Sequence, residues 1–137
     1  MGLGTKALLT LTAAALLTAA PAPAQDSQDL LGHWRGEVSE AIDGRAEPYR
    51  MAVSIDADRN GRPVAMVSYS LDCGGVWTGA EARGDAWHFD ETITVGRDVC
   101  AAHVEVEIAR DGDGLRVRLH PVGASEQLTQ GVLQRAQ

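Results

Sequence analysis

Glu91 is the residue whose type and position most demand a chemical explanation. It sits in Phe89-Asp90-Glu91-Thr92-Ile93, and strand alternation turns it to the same side as Phe89 and Ile93, where a carboxylate is desolvated at a cost unless a partner meets it. Two readings follow. As a structural group it binds an Arg, a Trp N–H or the amides of the loop after Gly96; as a functional one it is an acid of raised pKa or a ligand contact. In the second reading Tyr69 and Trp77 share a ligand-binding mouth with it. The structural reading stands ahead of the functional one. A two-carboxylate acid/base site would need a second carboxylate at a defined separation, and the sequence designates none. Nucleophilic motifs are missing too: there is no Gly-x-Ser-x-Gly elbow, no phosphate loop and no His-Glu-x-x-His. The expectation is therefore a protein that is not an enzyme, with no catalytic residue and no cofactor.

Cys73 and Cys100 are the only cysteines. Their compartment decides their chemistry. Lys6 precedes an apolar run from Ala7 to Ala20, and Ala22-Pro23-Ala24 supplies the small residues of a cleavage site, which reads as a secretory signal over residues 1–24. The run ends at Pro21 after 14 residues, short of the roughly 20 that a membrane-spanning helix needs. In an exported domain over residues 25–137, periplasmic or secreted, an isolated cysteine pair most economically forms a disulfide. Closing the 27-residue interval removes denatured-state entropy worth roughly 3.5 kcal/mol. A metal site is the poorer alternative, because there is no second cysteine pair and no histidine within five residues of Cys73.

The 137 residues suit one small domain. They carry 12 Lys and Arg against 19 Asp and Glu, a net charge of −7, and the leader would take Lys6 with it. The arginines are scattered among carboxylates, so nucleic acid is a poor partner. A basic partner, or simply solubility, fits the charge better.

After residue 25 no segment keeps a period of 3.6 for three turns, whereas alternation with period 2 recurs between Gly, Asp and Asn clusters. The domain is expected to be all-β, with about eight antiparallel strands in a meander. The strands run over residues 33–39, 49–56, 64–71, 75–80, 87–95, 103–109, 115–120 and 127–135, forming a barrel or, alternatively, a sandwich. Closure removes the exposed edges, and eight strands make a barrel that side chains can fill. Inward parity collects Trp34, Gly36 and Val38; Tyr49, Met51, Val53 and Ile55; Val67, Tyr69 and Leu71; Trp77; Trp87, Phe89, Ile93 and Val95; Val104, Val106 and Ile108; and Leu115, Val117 and Leu119. All six aromatics after the leader fall on this side.

Two turns set registers. Around Arg110-Asp111-Gly112-Asp113, opposing Ala109 to Gly114 brings Ile108 to Leu115 and Val106 to Val117 on one face, and pairs Glu107 with Arg116 and Glu105 with Arg118 on the other. That register also sets His103 opposite His120, a weak metal candidate that lacks a third ligand; His33 and His88 point outward. At Asp58-Arg59-Asn60-Gly61, a two-residue Asn-Gly hairpin would turn Ser68 and Ser70 inward. Parity instead calls for an odd-length loop with a bulge. Residues 56–61 also match the opening of a calcium loop, but Val67 stands where a bidentate Glu belongs, so a polar turn is expected.

Gly32-His33-Trp34-Arg35-Gly36, the run from Tyr69 to Trp77 and the run from Phe89 to Cys100 together resemble a family. It is a small extracytoplasmic β domain of bacterial secreted proteins, also found as an outer module of some membrane-anchored serine/threonine kinases. The likeness covers roughly residues 30–135 and rests on the linked Trp, Cys-x-Gly, Phe-x-Glu and Gly-x-x-x-Cys positions. Ser70 departs from it, standing where the family commonly has proline. The resemblance implies that Cys73 pairs with Cys100 and that Glu91 belongs to the pattern, and it carries no reaction. A weaker analogy is with lipocalin-like barrels, which open on Gly-x-Trp and stack a late Arg on that Trp. Trp34 and Arg135 would play those structural parts.

The functional expectation is an exported binding module, inhibitor-like, whose acidic surface engages a basic envelope protein such as a lysozyme. The alternatives are a lipocalin-like barrel holding a small ligand near Tyr69, Trp77 and Glu91, and a structural or sensory envelope module.

Overall fold

The structure, a computed structural model, describes residues 2, 26–42, 44–123 and 128–137. Gly2 apart, the expected leader lies outside those residues, as does Gln127 at the start of the last expected strand. Eight strands follow a 3-10 turn at Ser27–Leu30: β1 (Gly32–Ile42), β2 (Arg45–Ala57), β3 (Pro63–Tyr69), β4 (Cys73–Arg83), β5 (Ala86–Val95), β6 (His103–Asp111), β7 (Gly114–Pro121) and β8 (Thr129–Arg135). Each pairs antiparallel with the next, and β8 returns to β1 through Trp34–Arg135 and Val38–Gly131, so the sheet is a closed barrel and not a sandwich. Among the described residues no helix is long and apolar enough to cross a membrane.

Alternation builds the core. Trp34 and Val38, Met51, Val53 and Ile55, Val67 and Tyr69, Phe89 and Ile93, and the inward residues of β6 and β7 form one buried cluster. Leu30 and Leu133 complete it; neither belonged to the expected inward set. Two members of that set are corrected: Leu71 is 39% exposed and Val95 is 64% exposed. Leu71 lies past the end of β3, in a turn where Asp72 takes φ 61°. Val95 closes β5 at the barrel rim, beyond a register shift at Gly74/Gly75. Period-2 parity does not survive a turn or a bulge.

The β6–β7 register is a second correction. Asp111, not Ala109, faces Gly114, because Gly112 takes φ 58° and opens a two-residue turn with Gly-first geometry. The ladder is thereby displaced two residues from the expected one. A two-residue slip leaves every side chain on its expected face while changing every partner. Glu107 thus faces Arg118, with Oε1 3.9 Å from Nη1. His120 faces Glu105 and not His103, so the expected histidine pair does not form. Among the described residues no cluster of His, Cys, Asp and Glu has the makings of a metal site.

The β2–β3 connection is a five-residue loop with Ile55 opposite Ala65, odd in length as parity required, but its ladder carries no bulge. Asp58 organises it: Oδ1 accepts from the amides of Asn60 at 2.8 Å and Arg62 at 2.9 Å. The bulge that matters lies in β4. Gly79, at φ 66°, accompanies a register shift between Thr78 and Glu81, a conformation that glycine adopts without a Cβ clash. Beyond it the strand continues to Arg83, with Ala80 buried inside.

Candidate functional site

The two ends of the barrel are built differently. At one end the turn at Ser27–Leu30 folds across the opening, with Asp26 Oδ1 capping it by accepting from the Gln28 amide at 3.0 Å. Leu30 is fully buried, and its carbonyl accepts the Trp34 indole N–H at 2.8 Å. The Arg135 guanidinium lies 4.3 Å from the Trp34 ring centroid and that of Arg110 5.2 Å from it. Arg135 also donates to the carbonyls of Leu31 at 2.8 Å and Asp29 at 2.9 Å. One cation thus ties the last strand, the first strand and the plug together. This end is stoppered.

The other end holds Glu91. It lies opposite Trp77 in the β4–β5 ladder, both pointing inward, and Tyr69 reaches it from the end of β3. The Tyr69 hydroxyl donates to Glu91 Oε2 at 2.5 Å and the Trp77 indole N–H donates to the same oxygen at 2.6 Å. Two donors on one oxygen favour the ionised form of the carboxyl. Glu91 is only 2% exposed. Burial pushes its carboxyl above the ordinary range, and the bonds from Tyr69 and Trp77 pull the other way. The Tyr69 phenol is pushed well above its ordinary value, first by burial and then by the negative charge of Glu91.

Both donors converge on Oε2. No described residue donates to Oε1. Since no fully buried side-chain nitrogen or oxygen among the described residues lacks a partner, Oε1 opens onto the cavity beside it. That cavity is about 100 Å³, walled by Tyr49, Tyr69, Ile93, Leu119 and Thr129, with Glu40 at its edge. Tyr49 packs edge-on against Tyr69 with centroids 5.9 Å apart, and its hydroxyl donates to Thr129 Oγ1 at 3.3 Å.

The disulfide shapes the rim. Cys73 opens β4 and Cys100 sits in the β5–β6 loop, their Cα atoms 6.3 Å apart. The bridge holds that loop against the cavity, so that Val99, Cys100 and Ala101 line it. The loop is further tied by the amides of Val99 and Cys100 donating to the Gly96 carbonyl at 3.0 Å, and by Arg97 Nε donating to the Ile93 carbonyl at 3.0 Å. Four of the six exposed large apolar side chains among the described residues stand at this end: Leu71, Val95, Val99 and Val122. Leu71 and Val99 also line the cavity, and exposed apolar side chains beside a buried polar group have the layout of a protein-binding surface.

The structure therefore brings Tyr69, Trp77 and Glu91 together, places Trp34 and Arg135 at the opposite end, and leaves His103 and His120 apart. The lipocalin-style Trp–Arg stack is present as part of the plug. Tyr49, Thr129, Val99 and Val122 were not singled out in the sequence. The available signal for the last two was an apolar residue standing inside a polar turn. A larger hollow of about 740 Å³ runs along the outer wall past Arg35, Arg50, Ser68 and Ser70. Those side chains are exposed.

Fold and site define a class: a small, closed, eight-stranded antiparallel barrel, stoppered at one end and, among the described residues, open at the other onto a buried carboxyl. No family model, curated protein or solved structure matches this chain.

Proposed function

We propose that the chain is an exported binding module, acting without catalysis, that engages a basic protein partner through the open end of the barrel, as small periplasmic inhibitors engage envelope enzymes. The observation that carries this reading is the acid-floored cavity lined by the exposed apolar side chains Leu71 and Val99, with Val95 and Val122 exposed at the same end. Cavity size argues against a lipocalin-like store for a whole small molecule. Sites for drug-sized ligands measure ~300–1,000 Å³, and this one is about 100 Å³. The disulfide is compatible with an extracytoplasmic setting, and the net charge of −7 favours a basic partner.

The test is retention of basic envelope proteins on the immobilised chain, with two aspartate substitutions compared. Val99→Asp places a charge on the rim, and Val132→Asp places one on the outer wall of β8. Retention should fall more than about tenfold for the first and stay unchanged for the second. It should also weaken between low and physiological salt, where exposed charges are screened over ~8 Å. Equal retention by both variants overturns the reading, and no retention at any salt returns the chain to a structural or sensory role.

A further inference from the structure

Glu91 Oε1 takes no hydrogen bond from a described residue and, since no fully buried side-chain oxygen among them lacks a partner, it is open to the cavity. An ionised carboxylate offers about four acceptor positions, and Tyr69 and Trp77 both address Oε2. A carboxylate held at 2% exposure is costly unless an opposite charge or further donors reach it. None of the described residues lining the cavity is Lys or Arg, and Arg97 of the neighbouring loop is engaged with the Ile93 carbonyl. A cation from outside the chain can reach the carboxylate through the cavity that it lines.

The cavity limits what enters. About 100 Å³ holds a group of a few heavy atoms, being somewhat smaller than the ~150 Å³ that accommodates benzene. The tyrosine rings of the wall suit a cation, and Glu40 at the edge adds a second negative charge on the approach. Leu71 and Val99, at the lip, offer apolar surface of the kind that the methylene stem of a long basic side chain covers.

Resting on the protein-binding reading above, we infer that the mouth is a socket for one lysine or arginine side chain of the partner, its ammonium or guanidinium hydrogen-bonded to Glu91 Oε1 and its stem against Leu71 and Val99.

The full chain is titrated with N-acetyl-lysine amide, N-acetyl-arginine amide and the uncharged N-acetyl-norleucine amide, while the Trp77 indole N–H resonance is followed by NMR. At least one basic amide should shift that resonance saturably, with Kd in the range of roughly 1–50 mM expected of a single side chain, and the norleucine amide should not. Glu91→Gln should weaken binding at least about tenfold. Glu40→Gln, a surface change that spares the buried network, should weaken it about two- to fivefold and keeps the test decisive if Glu91→Gln does not fold. An equal response to the norleucine amide, or no response to either basic amide up to about 100 mM, overturns the inference. If the basic amides are inert while Val99→Asp still releases the partner, the socket is wrong and the binding module stands. If Val99→Asp releases nothing, the binding reading itself is wrong.

Discussion

Each end of the barrel buries a tryptophan, and the two are treated in opposite ways. Trp34 gives its N–H to the Leu30 carbonyl and lies beneath the guanidinium of Arg135, all supplied by the chain itself. Trp77 gives its N–H to the Glu91 carboxylate, at a cavity that no described basic residue lines. At the stoppered end the cation comes from β8 and closes the sheet. At the plug the chain supplies both a cation and the carbonyls that hold it, whereas at the other end the carboxyl of Glu91 lines a cavity that no described Lys or Arg lines.

Breaking the disulfide is the sharpest way to separate the two ends. Cys73→Ala with Cys100→Ala should destabilise the protein by ~3.5 kcal/mol through denatured-state entropy. Under native conditions hydrogen exchange should rise in the loop around Val99 while the Trp34 indole N–H stays protected. Equal loss of protection at both ends would show that the barrel opens as one unit.

A smaller effect probes the plug. Arg135→Met keeps an aliphatic stem over the indole but removes the cation and its bonds to Leu31 and Asp29. A cation over an indole contributes ~0.5–2 kcal/mol, so denaturant melts should show a loss of that order, with binding at the mouth unchanged. A loss of binding would mean that the two ends are coupled.

The smallest shift tests the socket's charge. Because burial raises the Glu91 pKa above its ordinary 4.5, the folded protein holds that proton more tightly than the unfolded chain. The stabilising contribution is complete below the ordinary value and is lost as pH rises through the folded one. Melting temperatures of wild type and Glu91→Gln should therefore diverge in favour of the variant between pH 4 and pH 7. A constant difference across that range would show that Glu91 titrates as it does in the unfolded chain.

The β6–β7 hairpin shows how far patterning reaches. Val104, Val106, Ile108, Val117 and Leu119 are inside, as alternation demands. Yet the cross-strand partners differ from the expected ones by two residues, because two registers of the same parity bury the same side chains and the turn at Gly112 chooses between them. The histidine pair depended on that choice and disappeared with it. Leu71 and Val95 mark the same limit at the rim, where strands end and period 2 carries no information. Glu91 was conspicuous because a carboxylate on an apolar face is a contradiction visible in one dimension. Its grouping with Tyr69 and Trp77 at one mouth was also expected, but not that both, 22 and 14 residues away along the chain, would donate to a single oxygen.

Side-chain alternation, the isolated cysteine pair and the misplaced acid are properties of order along the chain, so sequence alone determined an all-β architecture, its inner face and the residue that contradicts that face. Closure of β8 on β1, the plug over Trp34, the convergence of two donors on one oxygen and the exposed apolar side chains at the cavity were decided only in three dimensions. Hydrogen bonds and cavities depend on distances of a few ångströms between strands, and those distances are fixed by register, bulges and barrel closure together.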